Sequence, residues 1–343
     1  MVITSCTNVI KDKNNSSSNL QTTTCLDSEE PECTSAVDCT ERLMINNTSA
    51  LEVFRNQSFT QVHCSVIHAV IVIHGRDRNP NDYFSYIMDA ASASGHTNDT
   101  LVISPYFREQ TDSRNDSDLY WDRTAGSASQ YDWAMGGQSY APTAVSAYAV
   151  IDKIIYTIGS SNAFPNLKSI VVVGHSAGGQ LVQRYALSGN YNNQGLSESV
   201  TYVSANPSSY AYLNEQRPLT GSTTSFAIPD STSCTSYNNW GYGLENPNSY
   251  VGIVSSSQLI TQYLSRTVTY LLGDADILTD GMDITCYANY QGANRFERGV
   301  AYFNFINYFF PENIHTKLIV PGVGHSGASM INSTQGISVI FPN

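Results

Sequence analysis

The 343-residue sequence is short of charge, and of positive charge above all. Lys and Arg total 17 against 29 Asp and Glu, a formal net charge of −12, and the four types together make up only 13% of the chain. No run of basic residues forms a stripe. Nucleic acid is therefore not an expected partner, because duplex binding rests on neutralising phosphates. An anionic membrane surface is excluded on the same ground. No stretch approaches the ~18 consecutive apolar residues of a membrane-spanning helix. The seven cysteines contain no Cys-x-x-Cys pair, so no zinc site is expected. The N-terminal MVITSCTNVIKDK lacks the apolar core of a signal peptide, so the sequence reads as one that begins after a removed leader.

What is present is apolar, hydroxylic and amidic. Hydrophobic residues make up 41% of the chain, enough for a sizeable core. Cys6, Cys25, Cys33 and Cys39 crowd a stretch rich in Asn, Ser and Thr, and Cys64, Cys234 and Cys286 follow. Exposed thiols are a hazard unless paired, so an oxidising, extracytoplasmic or secreted location is expected. The composition predicts a flexible N-terminal segment over 1–60 and one domain over 61–343.

Within that domain, buried strands alternate with amphipathic helices. The β-branched run at 66–73 (VIHAVIVI) suits a strand covered on both faces of a parallel sheet. Short strands are expected again at 101–104, 169–173, 200–204, 267–272 and 317–320. Helices are expected from 81 or 82 to the stop at Gly95, from Pro142 to 158, over 177–188 and over 294–310. Such alternation predicts an α/β fold with a mostly parallel central sheet and helices on both faces. Residues 206–260, rich in Pro, Ser, Tyr and Gly, break the pattern and read as an inserted cap or lid.

Gly174-His175-Ser176-Ala177-Gly178 fits G-x-S-x-G, and its context gives it weight. The strand SIVVV runs into it and the helix AGGQLVQRYAL runs out, the strand–turn–helix setting of a nucleophile elbow. A serine hydroxyl needs a base at neutral pH. Of the histidines well downstream, His315 precedes the last strand and would lie at the wrong sheet edge. His325 follows that strand and is the expected base. The acid belongs after the strand TVTYLLG, where Asp276 is preferred and Asp280 and Asp274 are the alternatives. A calcium-loop reading of DADILTDGMD fails on ligand spacing. The N–H groups of Ala177 and Arg76 are the candidate oxyanion donors. The side chains of Arg76, Asp77 and Arg78 fit equally an ion-pair cluster that fixes the loop. Tyr120, Trp121, Trp133, Trp240 and Tyr242 fall in the two irregular segments expected near the site. They either line an aromatic substrate pocket or pack those segments on the core.

In this order HGRDRN, VVGHSAGGQLVQRYA, ANPSSY, LLGDAD and VPGVGH resemble the α/β-hydrolase superfamily over residues 65–343. A Trp and a Gly-Gly segment ahead of the nucleophile helix also resemble a secreted-type subgroup of serine esterases. The resemblance implies the α/β-hydrolase fold, hydrolysis of a carboxylic ester or related acyl bond in a small or polymeric substrate, and no cofactor. It also implies a disulfide between Cys234 and Cys286. A serine peptidase on the same fold is the alternative activity. A non-catalytic binding protein on a hydrolase scaffold is a third reading.

Overall fold

The computed structural model describes residues 33, 36, 38–123, 130–140, 142–191 and 198–342. Cys6 and Cys25 lie outside the described residues. Eight strands form one sheet: β1 (Thr40–Met44), β2 (Ala50–Arg55), β3 (His68–Ile73), β4 (Thr100–Pro105), β7 (Ser169–His175), β8 (Ser199–Ala205), β11 (Thr267–Gly273) and β12 (Thr316–Val320). Their spatial order is β1-β2-β4-β3-β7-β8-β11-β12. From β4 to β12 every neighbouring pair is parallel, while β1, β2 and β4 pair antiparallel. Two short ribbons, β5 (Arg108–Glu109) with β6 (Tyr120–Trp121) and β9 (Arg217–Pro218) with β10 (Phe226–Ala227), lie outside this sheet.

The sheet is buried on both faces. Ala69, Ile71 and Ile73 of β3 enter one core with helices α2 (Ala147–Ser160), α3 (Ala177–Ser188), α4 (Ser256–Ser265) and α6 (Arg295–Phe309). Val70 and Val72 enter the other core with α1 (Pro80–Ser94) and the C-terminal helices α7 (Gly327–Ile331) and α8 (Thr334–Ile340). This explains why β3 and β7 read as unbroken apolar runs rather than as alternations. One more helix, α5 (Cys286–Asn289), follows β11. Among the described residues, no helix is long and apolar enough to cross a membrane.

Three expectations change. The N-terminal segment does not run to residue 60 without joining the core, because β1 and β2 extend the main sheet. Leu43, Leu51 and Val53 are buried on one face there, while Arg42 and Glu52 pair on the other. Alternation on an edge with one wet face is masked by the surrounding Asn, Ser and Thr. Helix α2 starts at Ala147 and not at Pro142, because Ser146 caps it by accepting from the Tyr148 N–H, and Ser146 also bridges Gln138. The inserted segment carries its own helix start: Ser255 and Gln258 form a reciprocal capping box for α4.

The insertion is pinned to the body. Tyr210, Ala211, Tyr212 and Trp240 belong to the core. Arg184 of α3 is buried and donates through Nε and Nη2 to the Gly241 carbonyl at 2.8 and 2.6 Å. Cys234 is disulfide-bonded to Cys286, Cys33 to Cys39, and Cys64 is disulfide-bonded as well.

Candidate active site

The chain leaves β3 for β4 on one side and returns at β7 on the other, so the sheet's switch point lies between β3 and β7. In open α/β sheets this crevice, at the carboxyl ends of the strands, is where ligands bind. The loop after β3 carries Gly75 and Arg76, and the turn after β7 carries Ser176.

Ser176 has φ 60° and ψ −119°, a backbone region that a non-glycine residue occupies only when its surroundings force it. The forcing groups are visible. Its N–H donates to the Ala205 carbonyl of β8 at 2.9 Å. The turn closes so tightly that a Cβ on Gly174 would lie 2.4 Å from the Gly178 carbonyl oxygen, and one on Gly178 would lie 2.2 Å from that of Ile73. The result presents Ser176 Oγ at the start of α3.

Ser176 Oγ lies 2.9 Å from His325 Nε2, and His325 Nδ1 lies 2.7 Å from Asp276 Oδ2. His325 stands on the loop after β12 and Asp276 on the loop after β11. The two loops are tied by the Ala275 N–H donating to the Val323 carbonyl at 3.1 Å. Asn206, just after β8, joins them further. Its Oδ1 accepts from the Gly273 N–H at 2.8 Å, and its Nδ2 donates to the Gly324 carbonyl at 3.3 Å.

The other candidate acids are used elsewhere. Asp274 Oδ1 accepts from the Gly322 N–H at 2.6 Å and so fixes the turn ahead of His325. Asp280 is exposed at the rim, and its carbonyl accepts from Arg295. His315 is buried at the opposite sheet edge between the Tyr270 hydroxyl (2.8 Å) and the Tyr263 carbonyl (2.9 Å).

Three residues that sequence reasoning passed over also belong here. Arg295 is buried, lies 3.4 Å from Asp276 Oδ1, and donates to the Leu278 and Asp280 carbonyls. Burial lowers its pKa, and the adjacent Asp276 opposes that shift. His175 is buried beneath the site, its ring 4.6 Å from that of His325 and its Nδ1 3.0 Å from the Tyr83 hydroxyl. Burial drives its pKa well below the ordinary histidine value, so it is neutral. Tyr83 comes from α1. Its place within an ordinary helical pattern gave no signal, whereas His175 stood inside the motif itself.

Neither the Arg76 nor the Ala177 N–H makes a hydrogen bond among the described residues. A Cβ on Gly75 would lie 3.8 Å from Ser176 Cβ, which brings this loop against the nucleophile turn. The loop is braced by Arg78, which donates to Asp112 at 2.7 and 3.2 Å and to the Arg76 carbonyl at 3.0 Å. Of the three side chains weighed as a brace, Arg78 thus holds the loop, while Arg76 and Asp77 are exposed on the cleft.

Two clefts meet at Ser176. One, of 420 Å³, lies toward His325 and is lined by Arg76, Asp77, Tyr83, Tyr86 and Asp280 among others. The other, of 240 Å³, lies toward Ala177 and includes Arg123, Met135, Gln180, Tyr242 and Met282. Of the two readings open for the five aromatic candidates, packing on the core describes the tryptophans. Trp121, Trp133 and Trp240 are fully or almost fully buried in the core. Trp121 and Trp240 satisfy their indole N–H groups on the carbonyls of Gly137 (2.9 Å) and Met135 (2.8 Å), and Trp133 stacks on Phe107. Tyr120 stacks on Tyr140 beside a different hollow. Of the five, Tyr242 alone faces a cleft at Ser176.

One group among the described residues could hold a metal ion: His68, His96 and Asp99, whose ligand atoms lie within 4.8 Å of one another. It sits at the start of β3 and β4, the sheet edge opposite Ser176.

Sheet order, two-sided helical cover and the turn after β7 define an α/β-hydrolase fold. No protein-family model matches the sequence, and no curated protein sequence matches it. Solved structures do match. LpqC, a poly(3-hydroxybutyrate) depolymerase from Bordetella parapertussis, is similar with a TM-score of 0.60 at 20% identity, over 88% of this chain and 90% of that one. Poly(aspartic acid) hydrolase-1 from Sphingomonas sp. KT-1 is similar with a TM-score of 0.57 at 18% identity, over 88% of this chain and 97% of that one. At these identities the likeness is one of fold.

Proposed function

We propose that the protein is a serine hydrolase that cleaves a carboxylic ester through an acyl-enzyme, with Ser176, His325 and Asp276 as its catalytic triad. The observation that carries this reading is the hydrogen-bonded chain from Ser176 Oγ through His325 to Asp276, set at the switch point of the sheet.

In this mechanism Ser176 Oγ attacks the ester carbonyl carbon while His325 Nε2 takes its proton. Asp276 holds Nδ1–H and stabilises the imidazolium that forms. The carbonyl oxygen becomes an oxyanion, which accepts from the N–H groups of Ala177 and Arg76. On collapse the C–O bond to the alcohol breaks, and His325 returns the proton to the leaving oxygen. Water then attacks the acyl-enzyme, giving a proton to His325; the bond from the acyl carbon to Ser176 Oγ breaks as His325 returns that proton to Oγ, and the acid leaves.

Arg76, Asp77 and Asp280 on one side and Arg123, Asp132 and Gln180 on the other give both clefts a polar rim. Short, polar or oligomeric esters therefore suit the site better than long acyl chains. The polyester named for the depolymerase of similar fold is a substrate of this kind. The disulfides fit an oxidising compartment, and we place the protein outside the cytoplasm.

The test is turnover of p-nitrophenyl acetate by wild type and by Ser176→Ala, with fluorophosphonate labelling in parallel. Wild type should turn over and label at Ser176, and the variant should do neither while keeping its circular dichroism spectrum. Wild-type-like turnover by the variant rejects the assignment. Cleavage of amino-acid p-nitroanilides in preference to esters would move the reading to a peptidase.

A further inference from the structure

One phenol lies against three of the four loops that carry the chemistry. The Tyr83 hydroxyl lies 3.0 Å from Nδ1 of His175, the residue just before the nucleophile. A Cβ on Gly75, ahead of the Arg76 amide, would lie 3.0 Å from the same oxygen, and so would one on Gly327, two residues after His325. Gly75 and Gly327 thus let two loops close onto the hydroxyl. Tyr83 itself is held by α1, is only 6% exposed, and packs edge-on against Tyr86.

His175 passes this anchoring on. Its ring is tilted 39° under that of His325. Its Nε2 is buried and has no hydrogen-bond partner among the described residues, and the contact of Nδ1 with Tyr83 is the polar bond that orients the ring. A buried polar group left without a partner costs free energy.

We propose that Tyr83, acting through its hydroxyl and through His175, is a positioning residue that holds the oxyanion loop, the nucleophile turn and the His325 loop in mutual register. The proposal rests on the serine-hydrolase reading and deepens it. Tyr83 forms no bond to the substrate in this account. It sets where His325 stands relative to Ser176 and where the Arg76 amide stands relative to both. Misplacement of a catalytic group by about 1 Å can cost a hundredfold in rate, so the effect should fall on the chemical step rather than on binding.

The experiment is Tyr83→Phe, which removes the oxygen and keeps the ring. Turnover of p-nitrophenyl acetate is normalised to active sites titrated with a fluorophosphonate, so that misfolded molecules do not count. We expect kcat per titrated site to fall about tenfold to a hundredfold with KM within about twofold. The low-field proton resonance of the His325–Asp276 hydrogen bond should shift or broaden in the same variant. A kcat per titrated site within about twofold of wild type, with that resonance unmoved, overturns the proposal. A KM increase at unchanged kcat also overturns it, because it would make Tyr83 a substrate contact. His175→Leu is the second variant, expected to show the same kcat loss, and a wild-type kcat per titrated site there removes the relay. A wild-type protein inert to the fluorophosphonate sinks the serine-hydrolase reading itself, a result separate from either variant.

Discussion

Asp276 has two partners on its two oxygens, His325 at 2.7 Å and Arg295 at 3.4 Å, and is almost wholly buried. The arrangement fixes which imidazole nitrogen carries a proton. A carboxylate can only accept, so Nδ1 must donate and Nε2 is left free to take the Ser176 proton. Asp276→Asn keeps the volume but offers an NH2 group that would favour the wrong tautomer. We expect kcat on p-nitrophenyl acetate to fall about 10³- to 10⁴-fold with little change in KM. Steady-state kinetics on the titrated variant would check this, and a loss below about tenfold would mean that another group orients His325. The tryptophans show a different balance at the same scale. An indole contributes large apolar area and one donor. Here Trp121 and Trp240 found backbone carbonyls inside the core, so burial prevailed over display in a pocket.

The turn from β7 into α3 is the element on which the site stands. Its two motif glycines answer to backbone and not to side chains, since their neighbours are the carbonyls of Gly178, Ile73 and His74. A flexible side chain could move aside, but a strand carbonyl cannot move without breaking β3 from β7. Gly178→Ala should therefore cost about 3 kcal/mol or more, at the upper end of what overpacking costs. A urea titration would read this as a lowered midpoint, and a midpoint equal to wild type would show that the turn has slack. This element was fully legible in the sequence, α3 included to both ends, because a β-branched run, a glycine motif and an amphipathic stretch agree there. His325 and Asp276 were legible from their places after the last strands. The edge strands β1 and β2 were not, because alternation over five or six residues is weak against a Ser-, Thr- and Asn-rich background. Nor was the start of α2, where Pro142 and Ser146 both resemble helix starts and only the bridge to Gln138 decides between them. Tyr83 and Arg295 are invisible in one dimension because their partners come from other loops.

Across the whole molecule, three imidazoles are locked inside in neutral form, and they make stability depend on pH. His74 accepts from the Phe107 N–H on Nε2 at 3.0 Å, so its Nδ1–H donates to the Gly75 carbonyl at 2.9 Å. Burial pushes His74 and His315 down to about 4, and His175 lies well below the ordinary value of 6.5. In the unfolded chain the same groups protonate near 6.5. Between those values the unfolded chain binds protons that the folded one refuses. Their contribution is therefore complete above pH 6.5 and is lost as pH falls toward 4, by up to about 3 kcal/mol each for His74 and His315. Asp152 and Glu109, both raised by burial, work in the opposite sense, because the folded state protonates them first. Comparison with His315→Asn isolates one imidazole from this sum. Urea unfolding of wild type at pH 7, 6, 5 and 4 should show a falling free energy, and the variant should lose less of it over the same interval. Parallel curves for the two proteins would mean that His315 titrates alike folded and unfolded, and that its hydrogen bonds to Tyr270 and Tyr263 do not hold it neutral.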